Sequence, residues 1–397
     1  MKATLRRATI LPVLVIAMVA GTLTTPASAA APPVSPVDRV VIVTANLLEG
    51  FDPADLRNMG EMDVFADRVL NVIGWRPDVL LLQEVNSKSS RYVANSFSRK
   101  TGQTYAVVAD AGDKAYRETD TRVIKRDMSI VINTATMSKA GTSGYIVTKY
   151  ARPGSKVEYK YNARALVSED RGTLRLGMVS THVPGANITK TSQVMATKLD
   201  NAYPSTSASQ FEILGGDFNQ VGLNYVDYGQ VKTHPFWDAL TKTFGYVDSG
   251  YNVYESKFVD YVFVRGGVWG AGVDAAYNPK TARGTKGFYS DHQFRWAVVG
   301  PDEVLPATPG NVSIYARRTD SARVKVTWSQ ATDNAGIAAY DLYRSTNGSD
   351  FSKVGTTDNL TYYDSNVTRG THYWYRVVAR DWSNNRSPAS VIVDEEA

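Results

Sequence analysis

Short apolar runs recur along residues 39–299, and each has the length of a single buried β-strand. Helical patterns separate several of these runs. Apolar residues share one helical face in Met62 to Ile73, which Gly74 closes, in Tyr92 to Phe97, which ends near Gly102, and in Thr191 to Leu199. This alternation of strands and helices predicts an α+β region.

The pattern changes after residues 300–309, which are rich in proline and are expected to form a linker. Beyond them, apolar and polar residues alternate strictly, as in Val324, Val326 and Trp328. The pair Asn347-Gly348 marks a tight turn between two such runs. Short alternating strands of this kind predict an all-β sandwich at residues 310–397.

Most apolar runs of the first region lead to an acid, an amide or a histidine. The residues at these positions are Asn46, Glu84, His182, Asp217, Asn219, Asp260, Asp291 and His292. Side chains at the ends of several strands can converge on one rim of a fold. Carboxylates, amides and imidazoles together suit a hard cation and a phosphate group.

The amino-acid composition limits the kinds of catalysis and metal binding that are open to the chain. The chain has no cysteine, which excludes disulfides, thiolate catalysis and cysteine-ligated zinc. Its formal net charge is +5, and Lys2, Arg6 and Arg7 supply three of these charges before the first acidic residue. The remaining charge permits nucleic-acid binding and does not require it.

The N-terminus has the features of a secretion signal. Basic residues precede a short apolar run from Ile10 to Ala20, and Ala27-Ser28-Ala29 offers a small-residue cleavage site. The apolar run is too short to span a bilayer. We therefore expect a signal peptide at residues 1–29, a Pro-rich linker at residues 30–38, and an extracellular monomer without a transmembrane anchor.

Six short motifs follow one another between residues 39 and 299. They are Thr44-Ala45-Asn46, Gln83-Glu84, Ser180-Thr181-His182, Gly216-Asp217-Phe218-Asn219, Val259-Asp260-Tyr261 and Ser290-Asp291-His292. In this order they resemble the motifs of the endonuclease/exonuclease/phosphatase superfamily. The resemblance implies a four-layer α/β/β/α sandwich of two mostly antiparallel sheets with a catalytic site at one end. It also implies hydrolysis of a phosphoric ester with Mg²⁺ or Mn²⁺.

The resemblance implies roles for the acids and amides of these motifs. Glu84 and Asp291 would hold the metal. Asp217 would orient or deprotonate the attacking water. Asn46 and Asn219 would contact the phosphate, and Asn219, two residues after Asp217, would share one strand face with it if this segment is extended.

The histidines and one arginine complete the implied site. His182 and His292 would contact the phosphate and move protons, and which of them is the acid is left open. Asp260 would hold His292 by its other ring nitrogen. Arg164 would neutralise phosphate charge or be a solvated strand residue, and Arg126 is a lesser candidate for the same role.

The C-terminal region resembles a fibronectin type III domain, an immunoglobulin-like sandwich. The residues that carry the resemblance are Pro309, Trp328, the strand from Tyr340 to Arg344, and the segment from Gly370 to Val377. The resemblance implies that Tyr373 is the tyrosine-corner residue. A polymer or a cell surface is the expected ligand of this region.

Three functions remain open from the sequence. The first is a secreted nuclease that cleaves DNA, supported by a basic stretch that could follow a phosphate backbone. That stretch contains Lys114, Tyr116, Arg117, Arg122, Lys125 and Arg126. The second is a phospholipid or sphingomyelin phosphodiesterase or a phosphatase of small esters, although Trp237 and Trp269 stand alone and form no membrane-inserting hairpin. The third is a non-catalytic adhesion protein.

Overall fold

The elements of the chain are taken from a computed structural model. It describes residues 32–47, 60–110, 116–119, 122–124, 127–150, 158–183, 187–204, 210–221, 223–226, 230–249, 259–283, 285–317, 322–334, 336–381 and 383–397. The expected signal peptide at residues 1–29 lies outside these residues.

The helices are α1 (Gly60–Ile73), α2 (Ser87–Thr101), α3 (Ile188–Ala202), α4 (Pro235–Asp238) and α5 (Pro279–Ala282), and a π-helical turn at Ala239–Thr243 follows α4. The strands up to residue 299 are β1 (Val40–Asn46), β2 (Val79–Val85), β3 (Tyr105–Asp110), β4 (Tyr116–Thr119), β5 (Arg122–Ile124), β6 (Asp127–Asn133), β7 (Met137–Lys139), β8 (Gly144–Tyr150), β9 (Glu158–Glu169), β10 (Arg175–His182), β11 (Gln210–Asp217), β12 (Leu223–Val226), β13 (Gln230–Thr233), β14 (Val247–Asp248), β15 (Asp260–Arg265), β16 (Val268–Val273) and β17 (Arg295–Val299). The later strands are β18 (Ser313–Arg317), β19 (Arg323–Thr327), β20 (Ile337–Ser345), β21 (Ser352–Thr357), β22 (Thr361–Asp364), β23 (His372–Asp381) and β24 (Val393–Glu396).

Two mixed sheets form the region up to residue 299. The first has the strand order β16-β17-β1-β2-β6-β3, and the second has the order β14-β15-β11-β10-β9-β7 with β8 paired to β9. In each sheet only the central pair is parallel, β1 with β2 and β10 with β11, while the other pairs are antiparallel. The predicted mostly antiparallel sheets are therefore confirmed.

The two sheets pack face to face, and helices cover their outer faces. Ile42 and Leu81 of the first sheet meet Met178 and Ile213 of the second in a fully buried apolar core. The helices α1 and α2 pack on the outer face of the first sheet, and α3 and α4 pack on the outer face of the second. This arrangement confirms the predicted four-layer α/β/β/α sandwich.

The helix ends follow from local sequence. Asn86 precedes α2 and accepts hydrogen bonds from the backbone N–H groups of Lys88 and Ser89, which satisfies the free donors of the first turn. Gly102 ends the same helix in the left-handed conformation that glycine adopts without strain. The helices predicted near residues 62–73, 92–97 and 191–199 are confirmed as α1, α2 and α3.

The two parallel pairs determine where polar strand ends meet. Asn46 at the end of β1 lies opposite Gln83 of β2, and His182 at the end of β10 lies opposite Asp217 of β11. The antiparallel strand β15 begins at Asp260, directly opposite Asp217. Because the two sheets are packed on each other, these ends share one rim of the sandwich.

The C-terminal strands form a smaller sandwich of two antiparallel sheets, β18-β19-β22 and β21-β20-β23-β24. Its core contains Trp328, Leu342 and Tyr375. The hydroxyl of Tyr373 accepts a hydrogen bond of 2.9 Å from the backbone N–H of Thr368, which is the bond expected of a tyrosine corner. The predicted all-β immunoglobulin-like sandwich is confirmed.

The segment before the smaller sandwich is bonded to it. The amide of Asn385 donates to the carbonyl oxygen of Asp302 at 2.8 Å, and that of Asn334 donates to the Asp302 carboxylate at 3.2 Å. The boundaries of the linker at residues 300–309 and of the flanking domains stay predictions. Among the described residues, no helix is both long and apolar enough to cross a membrane.

Candidate functional site

Three buried side chains from both sheets meet at the shared rim. The amide of Asn46 donates to Asp217 at 3.1 Å and lies 3.4 Å from a carboxylate oxygen of Glu84. Asn46 is 2% exposed, Asp217 1% and Glu84 8%. An amide between two carboxylates holds them in place without adding a charge of its own.

Glu84 owes its direction to a break in its strand. The pairing of β2 with β6 shifts register between Leu82 and Val85, and Glu84 takes a φ of 55°. A residue other than glycine adopts this left-handed conformation at a cost, and such strain concentrates at functional sites. The irregularity turns the carboxylate toward Asn46 and away from the regular alternation of the strand.

Two glycines before Asp217 let β11 approach its neighbours closely. Gly216 has a φ of 153°, and a Cβ atom there would overlap the carbonyl oxygen of Thr181 in β10. A Cβ at Gly215 would overlap the side chain of Leu81. The glycine pair therefore brings Asp217 level with His182 and against the first sheet.

Asp217 is also fixed from its own chain. One of its oxygens accepts a 2.7 Å hydrogen bond from the backbone N–H of Asn219, and the Asn219 side chain donates to the carbonyl of Val183 at 2.8 Å. Asn219 has a φ of 51°, which asparagine tolerates better than most residues. The turn after β11 thus anchors the carboxylate to the end of β10.

A second dyad joins the same cluster. Nδ1 of His292 lies 2.8 Å from Asp260, and the His292 backbone N–H donates to the hydroxyl of Ser290. With Nδ1 engaged, Nε2 faces Asp217 at 4.0 Å and Asp291 at 3.9 Å. Asp260, Asp217 and His292 each place one ligand atom within 4.8 Å of the others.

His182 lies on the other side of Asp217. Its Nε2 is 3.7 Å from Asp217, and its Nδ1 is 3.6 Å from Glu84. Both histidines are therefore near Asp217 at distances too long for a direct hydrogen bond. The gap between the two imidazoles and the carboxylate has the size for a bridging oxygen atom.

The surroundings at this rim raise the pKa values of Asp217 and His292. Burial, followed by the nearby charge of Asp260, raises the pKa of Asp217 to about 7. Burial alone would lower the pKa of His292, but the charge and hydrogen bond of Asp260, with the charge of Asp217, raise it to about 10. At neutral pH His292 is therefore a cation beside carboxylates, and Asp217 can take up a proton.

Each of the two regions of this chain is similar to known proteins. No family model matches the chain. An endonuclease/exonuclease/phosphatase from Bacteroides vulgatus has a TM-score of 0.48 and 13% identity, over 66% of this chain and 99% of that one. The mannosyl-6-phosphatase of Bacteroides thetaiotaomicron has a TM-score of 0.47 and 14% identity, over 66% of this chain and 99% of its own. In fold, the chain resembles endonuclease/exonuclease/phosphatase proteins.

The C-terminal region matches short parts of larger enzymes. An amylopullulanase of Thermoanaerobacterium saccharolyticum is 39% identical over 99 residues, which are 24% of this chain and 7% of that protein. Chitinase C of Streptomyces lividans is 39% identical over 93 residues, 23% of this chain and 14% of that enzyme. The chain thus spans a small fraction of the length of these curated relatives, and they support the fibronectin type III-like region alone.

The region up to residue 299 places its predicted site residues at different distances from the rim. Asn46, Glu84, His182, Asp217, Asp260 and His292 are within a few ångströms of one another, while Asp291 is at the more exposed edge with 41% of its side chain accessible. Arg164 is not among them, since its guanidinium lies 5.2 Å from the ring of Tyr203 on the helix-covered face. This placement does not support a phosphate-binding role for Arg164.

Sequence reasoning did not find Lys160. This residue is 6% exposed, and its positive charge opposes the burial that raises the pKa of Glu84. It lies in β9, opposite Thr148 of β8 and four residues before Arg164. A buried lysine is the signal that identifies it, and burial is not visible in the sequence.

The basic stretch proposed to follow a phosphate backbone is only partly described. Lys114, Lys125 and Arg126 lie outside the described residues. Tyr116 and Arg117 belong to β4 and Arg122 to β5, and these two short strands pair with each other.

The acids of the cluster fit a hard divalent cation. Burial raises the pKa of Glu84 despite the positive charges of Lys160 and His292, and a bound cation would favour the ionised carboxylate further. One oxygen of Asp260 is buried without a hydrogen-bond partner. Mg²⁺ and Mn²⁺ prefer such carboxylate oxygens, and Glu84 with Asp291 would hold the ion at the rim.

Proposed function

We propose that this chain is a secreted, divalent-metal-dependent phosphoester hydrolase, and that its substrate is DNA. The observation that carries the proposal is the convergence of Asn46, Glu84, His182, Asp217 and His292 around one gap at the shared rim. Two imidazoles, an amide and buried carboxylates at that spacing match the needs of water attack on a phosphorus ester.

Each side chain around the gap has a separate role in the proposed reaction. Asp217, with a pKa raised to about 7, accepts a proton from the attacking water near neutral pH. His292, held as a cation by Asp260, donates Nε2–H to a phosphate oxygen. His182 lines the opposite side of the gap and donates to the phosphate. Asn46 would contact the phosphate by turning toward it one of the N–H groups that it gives to Asp217 and Glu84 in this structure. A bound Mg²⁺ or Mn²⁺ would supply further positive charge for the transition state.

Metal dependence is the first expected result. Chelation by EDTA should reduce plasmid cleavage to background, and added Mg²⁺ or Mn²⁺ should restore it. Glu84→Gln should raise the metal concentration for half-maximal activity at least about tenfold, because one anionic ligand is lost. Plasmid nicking followed on agarose gels measures both effects. Full cleavage by the metal-free protein would contradict the proposal.

The choice of DNA over lipid rests on the surface of the described residues. Trp237 is 6% exposed and donates its indole N–H to Asp248, so it is a core residue. Trp269 packs against the guanidinium of Arg39, 3.5 Å from its ring centre. Neither of these tryptophans forms an exposed tip that could enter a membrane, which favours DNA over phospholipid and sphingomyelin.

We further propose that the C-terminal region retains the protein on a polyanionic polymer. Tyr315, Lys325 and Tyr363 are cross-strand neighbours on β18, β19 and β22, and the two tyrosines are 66% and 49% exposed. Arg323 lies 4.5 Å and Lys325 5.8 Å from the ring centre of Tyr363. Exposed rings beside cations suit stacking against bases together with contacts to phosphates.

This surface predicts a chromatographic result. The double variant Tyr315→Ala/Tyr363→Ala should elute from immobilised DNA at lower salt than the unchanged protein, because stacking contributes about 1–3 kcal/mol per ring. The exposed residues Val391 and Ile392 of the same region provide a control pair for alanine substitution. Equal elution of all three proteins would refute binding at this surface.

A further inference from the structure

A cavity of about 470 Å³ lies between β8 and α3, apart from the cluster described above. Lys149, Lys190 and Lys198 line it together with Asn187, Thr148 and Thr191, and none of its described lining residues is acidic. Lys198 donates to the carbonyl oxygen of Val147 at 3.0 Å, which fixes one ammonium group at the wall. Three cations without a nearby anion in the lining create a site for an anionic ligand.

The cavity is connected to the candidate active site through two hydrogen bonds. Thr148 accepts from the amide of Asn162 at 3.2 Å, and Thr181 donates to the same Asn162 side chain at 2.7 Å. Thr181 immediately precedes His182 at the end of β10. One strand, β9, therefore lies between the β8 side of the cavity and the strand that ends at the histidine facing Asp217.

Lys160 lies between the cavity and the candidate active site. It pairs with Thr148 across β8 and β9, and its charge acts on Glu84. Positive side chains thus continue from the buried rim to the outer face near α3. A single small phosphate ester bound at the rim would not contact cations beyond β9, whereas a polymer with a phosphate at every residue could contact both places.

We infer that this lysine cavity is a second phosphate-binding subsite, which holds the backbone of a polynucleotide next to the scissile phosphate. The inference rests on the proposed phosphoesterase function and adds to it the place where the polymer is held beside the reacting site. The lysines contribute affinity and salt dependence and take no part in bond cleavage, since they do not touch the reacting atoms.

The test compares a polymer with a small ester. The triple variant Lys149→Gln/Lys190→Gln/Lys198→Gln should raise KM for a DNA duplex on the order of tenfold and flatten its salt dependence by roughly two units of log KM per log salt. Its kcat/KM for bis-p-nitrophenyl phosphate should stay within about twofold of the unchanged protein. The exposed residues Lys139, Lys242 and Lys280 give a control triple with the same change in charge.

Binding is measured separately from hydrolysis. Fluorescence anisotropy of a labelled DNA duplex in EDTA should show the same loss of affinity for the cavity triple and no comparable loss for the control triple. The double variant Lys149→Gln/Lys190→Gln, which keeps the Lys198 hydrogen bond, should show most of the effect if the fold is intact. Equal DNA affinity and salt dependence in cavity and control triples would overturn the subsite. Loss of small-ester turnover in the same proportion would also overturn it. No hydrolysis of either substrate by the unchanged protein would instead refute the proposed function.

Discussion

Asp217→Asn should reduce phosphodiester hydrolysis on the order of 10³-fold, because the substitution removes the only proposed proton acceptor for water. Asparagine has nearly the same shape, so the hydrogen bond from the Asn219 backbone N–H can persist. DNA affinity in EDTA should therefore change little. Single-turnover cleavage of a labelled duplex with Mg²⁺ measures the chemical step.

The control for this variant is another buried aspartate. Asp248 is 1% exposed and accepts a hydrogen bond from the indole N–H of Trp237. Its asparagine variant keeps an oxygen for this bond, which lies outside the candidate site. Asp248→Asn should retain activity within a few fold. Full activity of Asp217→Asn would remove Asp217 from the mechanism, and the absence of any activity to lose would favour the adhesion-protein alternative.

Gly216→Ala should destabilise the fold by about 4 kcal/mol, from overpacking together with backbone strain. The added Cβ would overlap the carbonyl oxygen of Thr181, and alanine disfavours the φ of 153° at this position. Relief requires β10 and β11 to separate at the ends that carry His182 and Asp217. Urea unfolding followed by tryptophan fluorescence measures the loss, which should accompany a loss of activity.

Gly74 is a control that separates the effect of the close contact from that of the backbone strain. Gly74 has a φ of 73°, and a Cβ there would meet nothing within 4 Å. Gly74→Ala should therefore cost only about 1 kcal/mol, the penalty for the left-handed conformation. Similar losses in both variants would show that the close approach of β10 and β11 is unimportant for stability.

The sequence was sufficient for the parts of the site that depend on strand ends. Asn46, His182 and Asp217 each end a continuous strand, so the parallel registers bring them to one rim without further information. The helices were predictable for a similar reason, because one-sided apolar faces and closing glycines are local signals. The helices and the meeting of these three strand ends therefore followed from patterns that involve near neighbours.

The remaining parts depend on contacts that no local pattern records. Arg164 and Lys160 lie four residues apart in β9, yet the first packs on Tyr203 and the second acts on Glu84. Whether Lys160 or Arg164 lies near the rim depends on how β9 is placed against the first sheet, and other residues form that sheet. The lysine cavity is similarly distributed, since Lys149 and Lys198 come from different elements.

The pairing of β1 with β17 has a consequence for biosynthesis. The first sheet places its N-terminal strand between β2 and a strand that ends at Val299, so this sheet stays incomplete until nearly all of the region has been translated. His292 and Asp291 precede β17 directly and arrive with it. A chain that lacks this last strand has no complete catalytic set. We therefore expect hydrolytic activity to appear in one step during folding, when the final strand joins the sheet.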